Sequence, residues 1–66
     1  MLKLTDRFQE RGTITGYSLI LIYLKHLQDE VPTRTSIRFA IECIEQDKIS
    51  EAAAILNVYQ LTLEEV

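Results

Sequence analysis

The sequence predicts an all-α fold: a small helical bundle of three main helices with short helices at its ends, in a single domain over residues 1–66. Three features predict it. Ile37, Ala40, Ile41 and Ile44 recur at i, i+3, i+4, i+7, the spacing of a helix that buries one face. Glu51 to Leu56 is a run of strong helix formers. Lys25 to Glu30 is also good helix sequence, and it continues an apolar run from Leu19 to Leu24.

The elements follow in order. Leu4 to Arg11 places Leu4 and Phe8 at i, i+4 and predicts a short helix capped by Thr5 or Asp6. Gly12 to Gly16 is a break. Tyr17 to Val31 is the second helix. Its first half is apolar on every side, which predicts burial on several sides. Ile20, Ile22 and Tyr23 also suit a strand, but the polar continuation favours the helix. Pro32 ends it, because a residue before proline avoids the helical region. Thr33, Thr35 and Ser36 are able caps for the third helix, in which Arg38 and Glu42 are spaced to pair. Gln46 to Lys48 is a turn. Ser50 caps a fourth helix starting at Glu51, an acid well placed for the helix dipole. Asn57 tolerates the left-handed conformation and is expected to stop that helix. Gln60 to Val66 is read as a last short helix or a frayed end.

At 66 residues the chain is one domain, too short for most walled catalytic pockets. Its 47% hydrophobic and 26% charged residues exclude disorder by composition. Ordering this many residues costs on the order of 100 kcal/mol, which burial must offset nearly alone. Cys43 is the only cysteine, so no intramolecular disulfide helps. Self-association is the remaining route to stability. A homodimer is expected through the apolar segment, with Leu19, Ile20, Ile22, Tyr23 and Leu24 at the interface. The lone cysteine and an opening segment without a long apolar core point to the cytoplasm. Leu19 to Leu24 is too short to span a bilayer, which takes about 20 residues, so no membrane partner is expected.

Charge is unevenly placed. Residues 1–48 are neutral, whereas residues 49–66 carry Glu51, Glu64 and Glu65 with no base, and hence the whole net charge of −3. A nucleic-acid binder shows the opposite bias, because phosphate neutralisation supplies much of its affinity.

No catalytic set emerges. His26 has Asp29 and Glu30 near it on the helix but no nucleophile, so it reads as a solvated histidine. Cys43 lies between Glu42 and Glu45 rather than in an electropositive setting, so it reads as a structural cysteine. The side chains of Asp29-Glu30 and Glu64-Glu65 diverge by about 100° on a helix and cannot converge on one ion. Gly12 and Gly16 lack the lysine of a phosphate loop. The expectation is a non-enzyme with no metal and no cofactor.

One segment has a spacing argument. Ala53 sits mid-helix, Leu56 follows as a core residue, Asn57 as a turn residue and Val58 as an apolar residue, with Leu63 and Val66 beyond. In these positions residues 49–66 resemble a helix-turn-helix, as in small transcriptional regulators and antitoxins. That resemblance implies a second helix over 60–66 and DNA reading by it. The outer face of such a helix would present Gln60, Leu61, Thr62, Glu64 and Glu65, two acids and no base. The leading expectation is therefore a small regulatory or adaptor protein that acts by protein–protein binding, as an inhibitor, antitoxin-like partner or assembly partner. Tyr59, Leu61, Leu63, Glu64, Glu65 and Val66 would meet a basic or apolar groove. The alternative is a helix-turn-helix DNA-binding regulator, with DNA disfavoured by charge.

Overall fold

In the computed structural model of the chain, residues 1–7, 12–30 and 36–66 are described. They form β1 (Leu2–Asp6), β2 (Gly12–Thr15), α1 (Tyr17–Glu30), α2 (Ile37–Glu45), α3 (Ile49–Asn57) and β3 (Leu61–Glu65). The strands make one antiparallel sheet in the order β2-β1-β3. The fold is mixed α and β, which overturns the expectation of an all-α helical bundle.

The correction falls on the segments read as terminal helices and as a break. In β1 the chain alternates: Leu2, Leu4 and Asp6 are buried, while Lys3 and Thr5 face the other way. In β3, Leu61 and Leu63 are buried and Thr62 and Glu64 alternate with them. This is the two-residue period of a half-buried strand. It wins over the i, i+4 pairing of Leu4 with Phe8, whose second member lies outside the described residues with the rest of 8–11. The Gly12–Thr15 segment is strand β2 rather than a simple break, with Leu4 paired to Ile14.

The helices keep close to their predicted spans. α1 buries Ile20, Leu24 and Leu27 on one stripe and leaves Leu19 and Ile22 exposed, so its apolar first half is not buried all round. The predicted end at Val31 and Pro32, and the caps Thr33 and Thr35, lie outside the described residues. α2 buries Ile37, Ala40, Ile41 and Ile44, the stripe that its spacing predicts. Ser36 stands at its N-cap without a side-chain capping bond. The turn after it is a Schellman motif: Lys48 N–H donates to the Cys43 carbonyl at 2.7 Å and Asp47 N–H to that of Ile44 at 3.0 Å. Asp47 takes the left-handed conformation there, φ 62°. α3 begins at Ile49, ahead of Glu51, so Ser50 lies within it and Lys48 holds the N-cap position. Asn57 is its last residue, and the left-handed reversal comes at Gln60, φ 62°, the last of three turn residues. Their N–H groups reach back three residues, from Val58 to Ile55, Tyr59 to Leu56 and Gln60 to Asn57.

α1 packs on β1 and β2, α3 packs on β3, and α2 rests on α1 and α3. One core cluster joins Leu2, Leu4, Leu61 and Leu63 of the sheet to the buried stripes of all three helices. Among the described residues, helices cover one face of the sheet. The other face carries two cross-strand rows, Thr13-Thr5-Thr62 and Thr15-Lys3-Glu64. The Thr5 and Thr13 hydroxyls lie 3.5 Å apart, and Lys3 and Glu64 pair at 3.6 Å. Among the described residues, no helix is long and apolar enough to cross a membrane.

Candidate functional site

The structure distributes the sequence-predicted contact residues unequally. Leu61 and Leu63 are buried in the core, so they are structural and offer no side-chain surface to a partner. Tyr59 is half-buried against the core, whereas Glu64, Glu65 and Val66 are exposed. The cause is the strand period. A helix over 60–66 would turn Leu61 outward, but a strand sends Leu61 and Leu63 inward together. No second helix follows α3, because residues 61–65 are β3.

The expected interface residues divide in the same way. Ile20 and Leu24 are fully buried in the chain's own core and cannot meet a second copy. Tyr23 is half-buried, and its hydroxyl donates a hydrogen bond to a carboxylate oxygen of Asp6. Leu19 and Ile22 remain exposed, at 57% and 53%.

β3 is an edge strand, and its backbone is the more informative surface. Met1 and Val66 exchange both backbone bonds, at 2.8 and 2.7 Å, and Arg7 N–H donates to the Gln60 carbonyl at 3.1 Å. The bonds of an antiparallel ladder alternate, so residues 60, 62, 64 and 66 turn their peptide groups toward β1. Leu61, Leu63 and Glu65 therefore turn theirs away from the sheet. Among the described residues no strand pairs with that edge. The exposed carboxylates of Glu64 and Glu65 lie beside it, with Glu64 partly neutralised by Lys3.

The candidate reactive groups do not assemble. His26 lines a shallow depression of about 200 Å³ on α1 with Ile22, Lys25 and Asp29. Cys43 is a half-buried free thiol on α2, its Sγ 4.0 Å from a carboxylate oxygen of Glu51. Among the described residues, no group of three His, Cys, Asp or Glu side chains is placed to hold a metal ion.

Asp6 is the residue that sequence reasoning misplaced. It was expected as a helix cap, but it is the buried end of the Leu2-Leu4-Asp6 face, 2% exposed. The signal that finds it is the i, i+2 alternation with the two leucines. A charged group is rarely buried without partners, and here the Tyr23 hydroxyl is one.

Compared with known proteins, the chain matches no family model, no curated protein and no solved structure.

Proposed function

We propose that this chain is a small non-enzymatic binding module that docks an extended, basic segment of a partner protein along the outer edge of β3. The observation that carries this reading is the edge itself, with the peptide groups of Leu61, Leu63 and Glu65 turned outward beside two exposed carboxylates. An added strand gains affinity from main-chain hydrogen bonds, and side-chain chemistry on alternate positions selects it. Acids beside the edge steer a basic segment to it and disfavour an acidic one. Leu61 and Leu63 hold the edge rigid from beneath, because their side chains are locked in the core. A single half-buried thiol suits a reducing cytoplasm, where we place the protein.

The test uses two blocked peptides, one alternating lysine with threonine and one alternating glutamate with threonine, followed by amide chemical shifts of the whole protein. The lysine peptide is expected to shift the Leu61, Leu63 and Glu65 amides, and to bind more weakly as salt rises and screens the carboxylates. Changing Glu65→Lys together with Glu64→Gln is expected to abolish the preference. Equal binding of both peptides, or no response along β3, overturns the reading.

A further inference from the structure

The opposite edge of the sheet has a different character. Gly16 N–H donates to the Leu2 carbonyl at 3.0 Å and Leu4 pairs with Ile14. By the same alternation Thr13 and Thr15 turn their peptide groups outward from β2. Natural edge strands are commonly guarded by charge, proline or a bulge. β2 has no charged residue or proline between Gly12 and Thr15. Its edge is also continuous with the exposed part of α1, which starts one residue after Gly16.

We infer that this edge is the interface with a second copy of the chain, forming a continuous six-stranded sheet by antiparallel β2–β2 pairing across a two-fold axis. Such an axis passes beside Ile14 and sets Thr13 of each copy opposite Thr15 of the other.

The helices test the geometry. Asp6 pairs with Gly12, and Tyr23 reaches Asp6, so α1 runs back alongside β2 from Gly16 toward Gly12. A strand rises about 3.3 Å per residue, so Ile14 lies about 6.6 Å back from Gly16. A helix rises 1.5 Å per residue, so the same distance along α1 is about four residues, to Ile20 or Leu21. The axis that centres on Ile14 is therefore level with the middle of the Leu19–Ile22 pair. It brings Leu19 of one copy against Ile22 of the other, twice.

The lateral spacing agrees. Strands lie about 4.8 Å apart, and α1 packs on both β1 and β2, which puts the helix about 5 Å from the axis. The two copies of α1 are then about 10 Å apart, the ordinary distance between packed helices. Leu19 and Ile22, exposed and three residues apart on one face of α1, thus meet at packing distance when the strand edges join. Pairing through β3 has no such match. It would bring the Glu64 and Glu65 carboxylates of two copies onto one short ladder, where like charges repel.

This self-association is independent of the β3 reading, since it uses the other edge. Sedimentation equilibrium of the full chain over a concentration series tests it. The expected species has twice the 7.6 kDa chain mass. Thr13→Glu with Thr15→Glu sets acid against acid across the axis twice and is expected to weaken the dimer about tenfold. Thr13→Lys with Thr15→Glu sets base against acid at the same positions and is expected to restore it. Leu19→Ser weakens the dimer through the helix contact, with a change that does not touch the sheet. Circular dichroism melts verify that each variant is folded. A chain that stays monomeric throughout, equal behaviour of the two charge variants, or loss of the dimer on Glu65→Lys alone overturns the inference.

Discussion

The hydroxyl of Tyr23 on α1 donates a hydrogen bond to the buried carboxylate of Asp6 on β1, tying the first helix to the end of the central strand. Removing the donor leaves Asp6 short of a bond in a place that water does not reach. Tyr23→Phe is therefore expected to cost about 1–3 kcal/mol in urea unfolding. Combined with Asp6→Asn, it should show a coupling above about 0.5 kcal/mol, as groups in contact do. Additive effects of the two changes would refute the tie.

Leu4 is fully buried at the centre of the sheet, paired with Ile14 on one side and Leu63 on the other. Leu4→Ala is expected to cost about 2–5 kcal/mol, the range for a leucine truncated in a packed core. Thr5→Ala, one residue on and facing the open side, is the control. A small loss at Leu4 would mean that the strand does not bury this face.

Gln60 takes φ 62° between α3 and β3, a conformation that strains most side chains. Gln60→Gly is expected to raise stability by up to about 1 kcal/mol, the relief of strain exceeding the entropy that glycine adds to the unfolded chain. Gln60→Val is expected to lower it, because a β-branched residue fits this region worst. The two melting temperatures, measured side by side, decide the point.

The Lys3–Glu64 pair stands on the open face with side chains 38% and 55% exposed. Such pairs contribute about 0–1 kcal/mol. Lys3→Gln is thus expected to leave the melting temperature nearly unchanged while increasing the attraction of the β3 edge for a basic peptide. A large stability loss would make Glu64 unfit as a binding probe.

The amphipathic helix was legible because four buried positions of α2 repeat its period unambiguously. The strands were not, for a physical reason. β1 and β3 each bury two leucines separated by one residue, and so short a pattern competes with helical readings of the same letters. Nothing local decides the contest. Leu4 is in a strand because Ile14 and Leu63 flank it in space. The same gap hid the candidate site. Glu64 and Glu65 stood out by charge, but the outward peptide groups of Leu61, Leu63 and Glu65 follow from pairing register. Leu19 and Ile22 were singled out as interface residues along with Ile20 and Leu24, which the core claims for itself.

The central strand has its own consequence for how the chain reaches this state. Leu4 and Leu63 are 59 positions apart along the backbone, yet they lie side by side. Bringing such distant partners together costs loop-closure entropy before any contact compensates for it. The helices and the β1–β2 hairpin are local and form without waiting. Closure of β3 onto β1 is then the slow event, and it sets a folding time longer than that of a helical bundle of equal length. Until it occurs, the half-built sheet leaves the outer edge of β1 open, and any other strand that arrives first will compete for it.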